Sequence, residues 1–122
     1  MIRNILFVAL GGASGSVLRY LISKWIAPHY SWGTLTVNLL GSLLIGVLVG
    51  FVQKGVLSIE MKLLLITGFC GGFTTFSTFA SEALSMLKVG DTLLMALYTG
   101  ASVILGILAV YVGLWISSLA EG

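Results

Sequence analysis

Four long apolar runs, joined by connections too short to fold on their own, dominate this sequence. A helix that crosses the hydrocarbon of a bilayer needs about 20 mostly apolar residues, and four segments meet that length, at about 4–26, 33–52, 59–87 and 92–119. Of the 122 residues 58% are hydrophobic and 8% charged, where a soluble domain carries roughly 25% charged residues. The sequence therefore predicts an all-α integral membrane protein, one four-helix domain over residues 1–122, with its function inside the bilayer or at its surface. The opening MIRNILFVALGGASG has the outline of a signal peptide. The apolar pattern resumes at Val17, Leu18, Leu21 and Ile22, long enough to span rather than be cleaved.

Composition also excludes function classes. A formal charge of +2 with no basic cluster argues against nucleic acid. One cysteine, Cys70, leaves no internal disulfide and no cysteine-based zinc site. His29, the only histidine, lies in a connection after Pro28 without a partner. No nucleophile–base pair or metal-ligand spacing occurs, and GGASGS sits inside an apolar span with no preceding strand to make it a phosphate loop. The chain is expected not to be an enzyme.

Short connections make consecutive helices antiparallel. Trp25, Tyr30 and Trp32 at one end, and Trp115 near the far end of the fourth helix, fit interfacial aromatic belts. Arg3, Lys54 and Lys62 fall on one side of the membrane, Lys24 and Lys88 on the other. That near-balance leaves two readings open: a weakly oriented protein, and insertion in both orientations. The 16 glycines include the pairs Gly11/Gly15, Gly46/Gly50 and Gly68/Gly72, whose spacing lets helix backbones approach closely within one chain or between two. Four short helices rarely line a path and also seal it from lipid, which favours a dimer.

Polar groups that are expensive in lipid narrow the search. Arg19 would cost about 2.5–3.5 kcal/mol at mid-membrane. Snorkelling toward the helix end competes there with a positive charge at the mouth of a wet cavity. Thr34, Asn38 and Ser42 share a helix face at i, i+4 and i+8. Asn38 is then either an interhelical hydrogen bond or a donor facing a pore. Tyr98, Ser102 and Gly106 form a similar narrow stripe on the fourth helix, with bonding to that helix's own backbone as the alternative.

Residues 68–81, GFCGGFTTFSTFAS, concentrate the unusual chemistry. Phe69, Phe73 and Phe76 follow helical spacing, with Phe79 one turn on, and Thr74, Thr78 and Ser81 adjoin them. Gly71-Gly72 weakens the helix, so the third helix is expected to break over Gly71 to Thr74. Non-helical backbone at membrane depth persists only where it is buried in protein or lines a cavity. Freed carbonyls suit a hard cation such as Na⁺, and ring edges, the positive part of the aromatic quadrupole, suit an anion. Of the four acidic residues, Glu60, Asp91 and Glu121 lie at ends, and only Glu82 is placed within the membrane, near the finish of the third span. The inventory favours a path for small anions.

The motifs GGASGSVLRY (11–20), GTLTVNLLGS (33–42) and GFCGGFTTFSTF (68–79), in this order, resemble the CrcB/Fluc family of fluoride channels over nearly the whole chain. The third motif is the specific one. The resemblance implies a passive, selective channel that exports fluoride from the cytoplasm across a bacterial inner membrane. It implies an antiparallel, dual-topology homodimer in the lipid bilayer, with two pores and a structural Na⁺ at the dimer centre held by backbone carbonyls of Gly71 and Thr74 of each subunit. On this resemblance Phe76 and Phe79 are pore phenylalanines, Asn38 faces the pore and Arg19 the vestibule. Thr75, Ser77, Thr78, Tyr98 and Ser102 match a track of hydroxyls. Some members continue that track with a serine where this chain has Gly106. The choice of fluoride over other anions comes from the resemblance. Two alternatives stand beside it. A small four-helix multidrug exporter, exchanging organic cations for protons, would carry a carboxylate deep in its first helix, which this chain lacks. A helical assembly subunit would have no transport of its own.

Overall fold

Residues 1–26 and 32–120 are described by a computed structural model of the chain. The expectations placed on Pro28, His29, Tyr30 and Glu121 lie outside those residues. Helix α1 runs Ile2–Trp25 and α2 Trp32–Gln53. The third span, Ile59–Lys88, is built in pieces: α3 (Ile59–Lys62), a π-helical stretch (Leu63–Cys70), α4 (Gly71–Phe73) and α5 (Phe76–Lys88). Helix α6 runs Thr92–Ser118. All four spans are long and apolar enough to cross a membrane, and the chain is a multi-pass membrane protein.

Local chemistry sets the ends. Ser58 caps α3 by accepting from the Met61 N–H, and Asp91 caps α6 by accepting from Leu94. The turns before α3 and before α6 pass through Gly55 and Gly90 at φ 75° and 86°, a region other residues enter only with strain. Lys54 donates to the carbonyls of Ser117 (2.5 Å) and Ala120 (2.8 Å), placing a cation on the negative end of α6.

Consecutive helices run antiparallel, as short connections require, but the tightest packing is between alternate helices, which are parallel. Helix α1 lies along the first half of the third span, and α2 lies along α6. The glycine pairs make both seams. A β-carbon at Gly11 would overlap the Leu64 carbonyl oxygen, and one at Gly15 the Phe69 carbonyl oxygen. From the other side, a β-carbon at Gly72 would lie 2.5 Å from the Gly12 carbonyl oxygen. Across α2 and α6, Gly46 packs on the Val110 carbonyl, Gly50 on Ser117 and Gly113 on the Leu43 carbonyl. All three spaced pairs are thus used inside the chain. The Arg3–Glu60 ion pair, 3.1 Å, joins the starts of the two spans that run together. It is exposed, the kind of pair worth about 0–1 kcal/mol.

Backbone contact leaves little to bury. The apolar core is Val37, Leu48, Cys70, Phe73 and Tyr98, while Ile5, Leu10, Ile104, Ile107 and Tyr111 lie exposed on the outside. Lipid rather than water suits that exterior, and small residues at the seams suit a solvent that gives no hydrophobic drive for helices to associate. Trp25, Trp32 and Trp115 are exposed, as residues of an interfacial belt must be.

The third span is broken, but not at the glycines. Gly71 is helical, at φ −62° and ψ −37°, and the chain leaves the helix at Thr74 (φ −87°, ψ 158°) and Thr75 (φ −148°, ψ 117°). Packing overrides propensity here. Gly68 and Gly72 are held helical because their missing side chains let α1 in. The break falls on the two β-branched threonines that follow, where a side chain from α2 takes over the backbone. The break also divides the expected phenylalanine stripe. Phe69 and Phe73 stack with ring centroids 5.6 Å apart before it, and Phe76 and Phe79 form a separate pair, 5.8 Å apart, after it.

Candidate functional site around the broken third span

Extended backbone inside a membrane must find hydrogen-bond partners, because lipid supplies none. Asn38 on α2 supplies two. Its Oδ1 accepts from the Thr75 N–H at 2.8 Å, and its Nδ2 donates to the Thr75 carbonyl at 3.1 Å. One side-chain amide thus does for Thr75 what a neighbouring strand would do. The Thr75 hydroxyl accepts from the Thr78 N–H at 3.2 Å and starts α5. Before the break, the Thr74 hydroxyl donates back to the Cys70 carbonyl at 2.9 Å. Asn38 bonds between helices, as one sequence reading has it, and also lines a cleft.

Arg19 does not snorkel away from the break. Its Nε donates to the Gly72 carbonyl at 3.0 Å, and Ser16 reaches the same oxygen at 3.5 Å. A cation thereby lies against the negative end of the first half-helix. No pattern in the sequence pointed to Ser16.

A cleft of about 520 Å³ opens beside the break, between α2, the third span and α6. Of the expected site residues it brings together Asn38, Gly71, Thr74, Thr75, Phe76, Phe79 and Ser102, and it adds Ser42, Thr67 and Cys70 to them. Arg19, Ser77, Thr78 and Tyr98 lie outside its lining. Ser77 remains close, with its hydroxyl 3.5 Å from that of Thr75. Tyr98 is buried behind the rings, 5.2 Å from Phe79 between centroids. The lining contains no carboxylate. Hydroxyls and one amide form a strip within an otherwise apolar lining that includes Ile45, Ile66, Val103 and two phenylalanine rings.

Three features of this lining matter to its chemistry. The N-terminus of α5 opens at the break, and the first N–H groups of a helix carry the positive end of its dipole, which attracts anions. The Ser102 hydroxyl is buried and has no hydrogen-bond partner among the described residues. Phe76 is 79% exposed, and its ring lies beside that of Phe79.

The carbonyls around the break divide into two sets. Gly72 is taken by Arg19 and Ser16, and Thr75 by Asn38. None of the side-chain bonds made at the break goes to the carbonyls of Gly71 or Thr74. Gly71 is exposed, and a β-carbon there would meet nothing within 4 Å. The family resemblance assigns Na⁺ to these two oxygens, which accept no side-chain hydrogen bond among the described residues. Oxygen donors from unwound helix are the right chemistry for that ion.

Glu82, the one acidic residue expected within a span, accepts from the Tyr98 hydroxyl at 2.9 Å. The Tyr98 hydroxyl thus reaches across from α6 to α5. The pairing had a sequence signal, because Glu82 and Tyr98 are equally distant from the turn at Gly90.

Comparison with known proteins agrees with this architecture. The family model described as "CrcB-like protein, Camphor Resistance (CrcB)" matches residues 6–114. A protein of Agrobacterium fabrum named fluoride-specific ion channel FluC is 50% identical over 116 residues, covering 91% of this chain and 93% of the relative. Proteins of the same name from Rhizobium etli and Bacteroides fragilis are 48% and 44% identical, over 89% and 91% of this chain and 91% and 93% of their own lengths. Match and identity run across all four spans and through the break, and the chain belongs to the CrcB family.

Proposed function

We propose that this chain is one subunit of a passive, selective fluoride channel that lets the ion leave the cell down its gradient. The observation that carries the reading is the break at Thr74 and Thr75, which opens a helix N-terminus and a strip of hydroxyls onto a cleft without carboxylates. Its relatives, named for fluoride, supply the identity of the anion. Fluoride is small and strongly hydrated, so a path must replace its water with several hydrogen-bond donors at once. Ser42, Thr75, Ser77 and Ser102 carry hydroxyl donors along the cleft or at its edge. The edges of Phe76 and Phe79 add positive charge without a proton to lose. Arg19, with only Nε spent on Gly72 among the described residues, keeps the rest of its N–H fork for an anion approaching the vestibule.

The working unit in this reading is an antiparallel homodimer with two pores. The cleft is unsealed on the side where Phe76 projects, and a second copy closes it by bringing its own rings. Gly71, bare and exposed, suits the place where two third spans cross. There the carbonyls of Gly71 and Thr74 from both copies would hold the Na⁺, whose positive charge would offset the carbonyl dipoles brought together at the crossing. Near-equal numbers of cations on the two sides suit insertion both ways.

Liposomes loaded with fluoride test the passive character. Efflux is expected without nucleotide and without a proton gradient. A requirement for a proton gradient, or exchange of an organic cation for protons, would contradict the reading.

A further inference from the structure

We infer that Ser42 on α2 is an anion-contacting residue that continues the hydroxyl track of α6 past the point where α6 itself runs out of hydroxyls. The inference rests on the channel reading above and names a residue that determines its conduction.

On α6, Tyr98 and Ser102 stand one turn apart, and the next position in the row is Gly106. The row would end there, one turn or about 6 Å beyond Ser102. The fold supplies a replacement from another helix. A β-carbon built on Gly106 would meet one neighbour within 4 Å, the Ser42 hydroxyl oxygen at 3.7 Å. The Ser42 hydroxyl therefore occupies the level on the track that a side chain at position 106 would otherwise take.

Ser42 and Ser102 line the same cleft. The Ser102 hydroxyl is buried and without a partner among the described residues, so the donor preceding Ser42 is not satisfied by protein. Asn38, one turn before Ser42 on α2, lines that cleft as well but spends its amide on Thr75. A hydroxyl rotates freely to present its O–H to an ion, and in a low-dielectric cleft a gap of one turn between donors would strand a fluoride that had already lost its water. Parallel packing of α2 and α6 makes the hand-over feasible, because both helices advance along the membrane in the same direction at this seam.

The test reads initial fluoride efflux from liposomes with a fluoride electrode, for purified wild type, Ser42→Ala and the double variant Ser42→Ala/Gly106→Ser, each checked for an unchanged elution profile. Ser42→Ala is expected to slow efflux about tenfold, the scale of one hydrogen bond to an ion. The double variant is expected to recover most of it, because a serine at 106 returns a hydroxyl to the same level of the track. A purely structural role for Ser42 would not be rescued from the opposite helix. Efflux from Ser42→Ala equal to wild type overturns the inference, and so does slow efflux that Gly106→Ser leaves slow. A wild type that carries no fluoride overturns the channel reading and this inference together, an outcome distinct from either. If Ser42→Ala does not fold, Ser42→Cys, which keeps the volume but donates weakly, is judged by the same two outcomes.

Discussion

Asn38 decides whether the third span can stay broken. Its two hydrogen bonds satisfy both backbone groups of Thr75, which lipid could not do. Asn38→Asp removes the donor and sets a carboxylate oxygen against the Thr75 carbonyl. It is expected to destabilise the protein by about 1–3 kcal/mol, the cost of leaving buried polar groups unpaired, seen as a lower unfolding temperature in detergent together with reduced fluoride efflux. An unfolding temperature and efflux both equal to wild type would remove Asn38 from this role. Phe76 and Phe79 make the complementary case, because the break frees their rings from the packed pair Phe69 and Phe73. Replacing both by isoleucine keeps apolar bulk and deletes the ring edges. Conduction is expected to fall at least about tenfold, the loss of one ion-scale contact, with assembly intact. An unchanged rate would mean that the rings only pack.

Elements differ in how far the sequence discloses them. The four spans are legible because spanning depends on composition summed over a segment, and that survives any detail of packing. The glycine pairs disclose that seams exist, yet not that both seams join parallel helices inside one chain. Spacing along one helix says nothing of which helix comes close. The expected break, Gly71 to Thr74, includes Thr74, where the chain leaves the helix, but its first residues stay helical. The intrinsic cost of glycine, about 1 kcal/mol each in a helix, is outweighed by backbone contact between Gly72 and Gly12. The deciding partner, Asn38, is 37 positions away from Thr75. The π-helical winding over Leu63–Cys70 left no sequence signal. It serves the seam, because its i→i+5 turns bring Leu64, Gly68 and Phe69 onto Gly11. That seam makes a prediction of its own. Gly15→Val would drive its side chain into the Phe69 carbonyl, which backbone cannot move aside, and should destabilise the chain by about 3 kcal/mol. Gly100→Val, where a β-carbon meets nothing within 4 Å, should leave the unfolding temperature nearly unchanged. Equal effects of the two would show that this close approach does not hold the fold.

At the scale of the whole molecule, one chain forms its seams with glycine and leaves its polar cleft unsealed. The proposed second copy closes it. Gly71→Leu separates the two levels of organisation, because inside the chain the new β-carbon meets nothing within 4 Å, whereas at a crossing of two third spans the side chain would collide with its own copy. The variant is expected to fold and to run as a monomer in cross-linking and size-exclusion experiments. A dimer formed as readily as by wild type would move the crossing elsewhere. Above all, the cleft beside Thr74 and Thr75 is proposed to carry fluoride and refuse larger halides. The most direct measurement is efflux of fluoride and of chloride from liposomes holding the purified protein, each followed with its own electrode. Rapid fluoride efflux is predicted, with chloride no faster than from empty liposomes. Equal efflux of the two ions, or no fluoride efflux, would contradict it.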